Sequence, residues 1–183
     1  MPPEIATLSL PLPLADLGFP EPLTAGRTTL ARGESPAWSW RGEAPEFDIP
    51  ACASVAGASV DGWSTDHVVL LVPDLEHADD VLDATGLRPR LHLDVGGRPT
   101  SFYRVGTVLE VIQSPVRTAS IFGVALATEE PLEVVALRWR SRGFDLSDPR
   151  PAMQPGRRIF TVRGLEIGLA VMSPDRAIAA PTG

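Results

Sequence analysis

The sequence predicts an α+β fold built from two βαβββ units in tandem, preceded by a proline-rich segment. Three observations carry that expectation. Residues 67–115 and 123–174 run through the same order of apolar strand, helix, terminating glycine and closing strands. The offset between matching points drifts only from 56 residues (His67 to Gly123) through 57 (Gly86 to Gly143) to 59 (Pro115 to Pro174), as duplication of one supersecondary unit requires. Before residue 63 the prolines crowd together (Pro2, Pro3, Pro11, Pro13, Pro20, Pro22, Pro36, Pro45, Pro50), which forbids a long helix and confines strands to short or edge pieces. The boundaries that follow are an extension over 1–62, a first unit over 63–118, a second and degenerate unit over 119–175, and a tail over 176–183.

Within the extension, residues 28–32 and 37–41 suit a small hairpin across Gly33-Glu-Ser-Pro36, with Trp38 and Trp40 on one face. The Ala/Gly/Ser-rich piece over 51–62 reads as a connector. Strand 66–72 is apolar on both faces, as a strand is when one face meets helices and the other lines an interior. A helix follows from Asp74 to about Thr85, with Leu75, Ala78, Val81 and Leu82 at three- and four-residue spacing and Gly86 as its stop. Segments 88–95, 99–105 and 107–113 read as strands. The second unit repeats the series with strand 121–127, helix 131–142 and strands near 157–163 and 165–172. Pro149, Pro151 and Pro155 weaken its second strand.

Composition narrows the function. The chain has 183 residues, 44% of them apolar, and can bury a sizeable core. Its net charge of −7 argues against general nucleic-acid or anionic-membrane binding, both of which require neutralised phosphate. The charge is uneven: residues 1–66 hold nine acids and three arginines, residues 131–183 eight arginines and five acids. All 16 basic residues are arginine, so Schiff-base chemistry, covalent pyridoxal phosphate and a Walker-type loop are excluded for want of a lysine. No apolar run reaches bilayer length and the N-terminus lacks a secretion pattern. With a single cysteine, Cys52, a cytoplasmic setting is the expectation.

The opening Asp66-His-Val-Val-Leu-Leu-Val-Pro-Asp-Leu75 and the closing Val108-Leu-Glu-Val-Ile112, set in tandem βαβββ units, resemble the vicinal oxygen chelate superfamily, more narrowly its glyoxalase-like members. Ile121-Phe-Gly-Val-Ala-Leu126 and Gln154-Pro-Gly-Arg157 add to the resemblance, which covers about residues 65–175. It implies paired half-barrels enclosing a cup that binds a small organic molecule, often over a divalent metal. It also implies metal ligands at a first-strand histidine and a last-strand carboxylate, here His67 and Glu110. Zinc, nickel, manganese or iron would suit that pair.

Strand alternation puts His67, Val69 and Leu71 on the cup face, with Glu110 and Ile112. Aligning the repeats sets Gly123 and Leu169 where the second histidine and carboxylate belong, and neither ligates. Glu166 points to the opposite face of an unbroken strand, while His92, Asp94 and Asp66 have no geometric support. Two ligands are too few for a tight site, so the cup is expected to be metal-free, with a bound metal as the alternative. His67 and Glu110 are the candidate catalytic residues: an imidazole titrates near neutrality, and an unpaired mid-strand carboxylate is costly to bury. Arg104 is the natural partner if Glu110 is merely ion-paired. Tyr103, Arg104 and Arg157 are the candidate ligand-binding residues, with only one of Phe102 and Tyr103 able to face the cup. The chemistry suggested is that of a lyase, isomerase or hydrolase moving a proton beside a carbonyl. The alternatives are a sequestering protein for a metabolite or antibiotic, and an interaction module with a filled cup. Monomer and homodimer both remain open.

Overall fold

Apolar residues recurring every second position build the strands of this chain, and recurrence at three and four positions builds its two longer helices. The structure is a computed structural model that describes residues 2–175; the expected tail at 176–183 lies outside the described residues. The extension contributes β1 (Glu4–Leu10), the one-turn helix α1 (Leu14–Leu17), β2 (Leu23–Ala25), β3 (Thr28–Arg32), β4 (Ala37–Arg41) and β5 (Ala58–Ser59). The first unit follows as β6 (Trp63–Val72), α2 (Leu75–Ala84), β7 (Leu91–Asp94), β8 (Pro99–Arg104) and β9 (Val108–Gln113). The second is β10 (Ser120–Thr128), α3 (Leu132–Ser141), β11 (Arg150–Pro151), β12 (Arg158–Val162) and β13 (Gly168–Met172).

The two units form one eight-stranded sheet in the order β11-β12-β13-β10-β6-β9-β8-β7. Each is wound alike. The first strand runs parallel to the last (β6 with β9, β10 with β13), and the remaining strands add antiparallel outward. The first strands of the two units, β6 and β10, join antiparallel at the centre. The proline-interrupted strand of the second unit survives only as the two-residue β11.

In α2 the Asp74 carboxylate accepts the His77 N–H at 3.2 Å, and Leu75, Ala78 and Leu82 are buried. In α3 the buried face is Leu132, Val135, Ala136 and Trp139. The arginines of α3 and its C-cap turn to partners: Arg138 to Glu130, Arg140 to Asp148, and Arg142, the C-cap, to the Asp16 carbonyl. No helix among the described residues is long and apolar enough to cross a membrane.

The hairpin expected from 28–32 and 37–41 does not form. Both segments are strands, but β1 lies between them, parallel to β3 and antiparallel to β4. β1 alternates poorly, being buried at nearly every position, so no period-two pattern betrays it. The resulting order β4-β1-β3-β2-β5 repeats the winding of the units with one strand fewer: β1 is parallel to β3, β3 antiparallel to β2, and β4 stands where β10 stands beside β6.

This smaller sheet backs the larger one. Ile5, Leu8, Leu10 and Leu30 share a continuous core with Val68, Leu70, Leu109, Val111, Leu169 and Val171. Phe19, Trp63, Trp139 and Phe160 bind the layers through ring contacts of 4.8–6.1 Å. The Trp63 indole N–H is satisfied by Glu130 at 3.1 Å. The opposite face of the large sheet is left concave and open.

The second unit is pinched at its centre, where Gly123 pairs with Gly168. A Cβ at Gly123 would run into the Gly168 carbonyl, 2.8 Å from its carbon. Replacing Gly123 by Ala should therefore destabilise the fold by about 1–3 kcal/mol through overpacking, read as a lowered urea midpoint at unchanged slope.

Candidate functional site

Adjacent residues of a regular strand point to opposite faces, yet Asp66 and His67 both reach the concave side. The register explains it. Along β6, His67 pairs with Ala125 while Thr65 pairs with the very next residue of β10, Leu126, so Asp66 is an extra, bulged residue. Burial records the same break. Trp63 and Val68 both lie in the core, an odd interval that uninterrupted alternation forbids. The Thr107 hydroxyl ties the bulge down, lying 3.0 Å from the Thr65 carbonyl oxygen and 2.8 Å from that of Asp66.

Around this bulge the side chains form a chain of contacts. Arg157, on the loop before β12, donates to Asp66 at 2.5 Å. It also donates to the Ser173 carbonyl at 3.0 and 2.9 Å and to Gln154 at 3.1 Å. Four of its N–H groups are thus engaged, and it is only 6% exposed. Asp66 meets the His67 Nδ1 at 2.8 Å, and the His67 Nε2 stands 3.6 Å from a Glu110 oxygen. Burial opposes ionisation of Asp66, but the hydrogen bonds from His67 and Arg157 outweigh it and hold the carboxyl below its usual range. Glu110 behaves in the opposite way. Burial raises its pKa, the His67 charge only partly offsets this, and the Asp66 charge adds to the rise.

With Asp66 ionised, His67 presents an Nδ1–H to it. Its Nε2 is thereby turned toward Glu110, 3.6 Å away, without a hydrogen bond between them. No arginine bonds Glu110 among the described residues, so the ion pair weighed from the sequence is absent there; the arginine partner goes to Asp66 instead.

The concave face holds two adjoining cavities that share His67. One, of about 400 Å³, has polar walls that include Asp66, Phe102, Arg104, Glu110 and Arg157. The other, of about 230 Å³, lies over Val69, Phe122, Gly123, Ala125, Gly168 and Ala170. Nothing from the extension lines either one among the described residues. Of the remaining sequence candidates, Arg104 is exposed in the polar cavity and forms no hydrogen bond or ion pair among the described residues. Arg157 lines the same cavity with its donors turned to the protein. Tyr103 is turned away: it is 1% exposed, and its hydroxyl donates to Asp79 of α2 at 2.5 Å. Burial first, and then that carboxylate, push its pKa up. Phe102 is the member of the pair on the cup side. Leu169 likewise faces the core, and the cup-side neighbours of Gly123 and Ala125 on β13 are Gly168 and Ala170.

This donor set does not fit a three-ligand metal centre. No three His, Cys, Asp or Glu side chains converge on a metal position among the described residues. Asp66 is already committed to Arg157 and His67, and the second unit offers only glycine and alanine across from them.

Comparison with solved structures shows the fold. A methylmalonyl-CoA epimerase from Mycobacterium tuberculosis superposes with a TM-score of 0.50 at 18% identity, over 61% of this chain and 88% of that one. A Streptomyces coelicolor methylmalonyl-CoA epimerase variant in complex with 2-nitronate-propionyl-CoA matches with a TM-score of 0.50 at 14% identity, over 62% and 95%. A hypothetical protein from Bacillus halodurans C-125 reaches 0.53 at 14% identity, over 66% and 100%. The fold is the one these solved structures share, as the tandem βαβββ units imply. No family model matches the sequence, and no curated protein matches it.

The two carboxylates make opposite predictions. Asp66 has a lowered folded pKa, so its contribution to stability is present above its unfolded value and lost as pH falls through the folded one. Replacing Arg157 by Met should cost about 3–5 kcal/mol at neutral pH by stranding a buried charge, and less below about pH 4. Glu110 has a raised folded pKa, so stability falls as pH rises from its unfolded value through the folded one. Glu110→Gln should therefore melt higher than the parent at neutral pH, and the two curves should converge in acid.

Proposed function

We propose that the cup binds a small carbonyl compound and that Glu110 moves a proton at the carbon beside the carbonyl, making the protein an isomerase or lyase of the vicinal oxygen chelate fold. The observation that carries this reading is Glu110 itself. It is a mid-strand carboxylate with only 15% of its side chain exposed, facing a cavity, with an imidazole at 3.6 Å as its nearest ionic partner among the described residues. A carboxylate so placed is a stronger base than one in water, and proton transfer is most efficient when the pKa approaches the working pH. In the step proposed, the carbon–hydrogen bond breaks, the proton passes to Glu110, and the electron pair moves onto the carbonyl oxygen as an enolate.

His67 sits on the other side of that proton and can carry it on or return it to the ligand. Asp66 fixes the ring with Nδ1 protonated, and Arg157 holds Asp66. The Arg104 guanidinium is free to bind developing negative charge. The solved epimerases of this fold support the reading only at the level of architecture.

A second reading is a sequestering protein, favoured by the apolar cavity beside His67, which provides binding area and no chemistry. The test is solvent exchange. Carbonyl compounds with a hydrogen beside the carbonyl (2-oxo acids, branched acyl thioesters and β-keto esters) are incubated with the protein in deuterium oxide and followed by NMR. Incorporation of deuterium that falls at least about 100-fold in Glu110→Gln is expected. Unchanged exchange in that variant, or no exchange with any compound, would remove the proton-transfer reading, and binding without exchange would leave sequestration in its place.

A further inference from the structure

The cup is polarised along its length, and that polarity specifies the class of molecule it takes. The register traces one row of side chains across five strands: Arg104 on β8 pairs with Val108 on β9, Val108 with His67 on β6, His67 with Ala125 on β10, and Ala125 with Ala170 on β13. The neighbouring row runs Phe102, Glu110, Val69, Gly123 and Gly168. A cation therefore stands at one end, the imidazole and the buried carboxylate in the middle, and a floor of glycine and alanine at the other end. Strands lie about 4.8 Å apart, so Arg104 stands about two strand spacings, or about 10 Å, from His67, while the glycine–alanine floor begins one spacing away at Ala125 and extends to the second at Ala170.

At the polar end one cation is left without a partner among the described residues. Asp66 is neutralised by Arg157 at 2.5 Å. Glu110 faces the His67 imidazole at 3.6 Å, and Asp175 is exposed at the rim. Arg104 is left on this wall with no counter-ion among the described residues. At the far end, the cavity of about 230 Å³ exceeds the roughly 150 Å³ that accommodates a benzene ring. Its floor is low because the close approach of Gly123 to Gly168 admits no side chain at Gly123. Phe122, 57% exposed, and Thr161 border it.

Resting on the reading of Glu110 given above, we infer that the ligand is an amphipathic organic acid. Its carboxylate pairs with Arg104, its aryl or branched alkyl group lies on the floor of Gly123, Ala125, Gly168 and Ala170, and its reacting carbon lies between, over Glu110 and His67. Arg104 and Ala170 are the residues that set specificity at the two ends.

Calorimetric binding of four probes tests this on the full chain: acetate, hexanoate, 3-phenylpropanoate and 3-phenylpropanamide. The expected order puts 3-phenylpropanoate at least tenfold tighter than both acetate and the amide, with hexanoate between it and acetate. Arg104→Gln should weaken the aryl acid at least tenfold and leave the amide unchanged. Ala170→Leu should weaken the aryl acid and spare acetate, and circular dichroism checks that it folds. The probe series is the mutation-free arm should it not. Equal binding of acid and amide, indifference to Arg104→Gln, or no binding of any probe would overturn the inference. Failure of the chemistry is separable. Acid binding in this order without deuterium exchange would retire the proton-transfer reading alone, whereas Glu110-dependent exchange confined to uncharged carbonyl compounds would retire this one.

Discussion

Everything in the site depends on the antiparallel seam between β6 and β10. Joining the first strands of the two units makes one continuous eight-stranded sheet and brings a residue of the first unit face to face with one of the second. The seam also carries the bulge. One extra residue at position 66 lets a carboxylate and an imidazole that are neighbours in sequence point into the same cavity. Without the bulge Asp66 would face the core, where an ionised carboxylate is tolerated only when paired. The Thr107 hydroxyl, shared between two carbonyls of the bulge, gives those groups the partner that the interrupted ladder withdraws.

From that seam the two halves of the cup diverge. The first unit supplies every charged group that meets in the polar cavity except Arg157 and Asp175, which come from the second. Across the seam the second unit supplies an absence of side chains. Its Gly123–Gly168 contact is so close that a histidine at Gly123 would require β10 and β13 to separate. Along the seam the first unit presents the ionisable row, whereas β10 and β13 of the second present glycine and alanine. Arg157 is the fixed positive charge nearest this part of the cup, and it reaches the imidazole through Asp66 rather than directly.

The backing sheet accounts for how a concave face can stay open. Eight strands with one exposed face bury apolar surface on the other, and the extension, α2 and α3 together cover it. Trp139, fully buried, touches Phe19 from the extension, Trp63 from the seam strand and Phe160 from β12. Aromatic contacts of this kind add to the area they bury, and they hold β6 from behind while its front face lines the cup.

The sequence by itself determined the repeat, the two helices with their glycine stops, and the cup-facing positions of His67 and Glu110, because each rests on local periodicity or capping that tertiary contacts only reinforce. It determined too that the second unit lacks ligands at the matching positions, since Gly123 and Leu169 cannot coordinate in any fold, although only the register shows that Leu169 faces the core and that Gly168 and Ala170 stand on the cup side. It misjudged what depends on partners distant in sequence. The 28–32 and 37–41 segments became strands as expected, but β1 entered between them, because strand order is a matter of packing and not of pattern. Tyr103 and Phe102 are equivalent in composition, and only the β8–β9 register decides that Phe102 faces the cup and Tyr103 faces Asp79. Arg157 and Asp66 lie 91 residues apart, and no local signal joins them. The bulge that makes Asp66 part of the site was legible in one respect alone, the odd spacing between Trp63 and Val68. It could be interpreted only once both were known to be in the core. Local sequence sets which face a residue prefers; the pairing of strands, which sums many weak contacts over the whole sheet, decides where a face begins and what stands across from it.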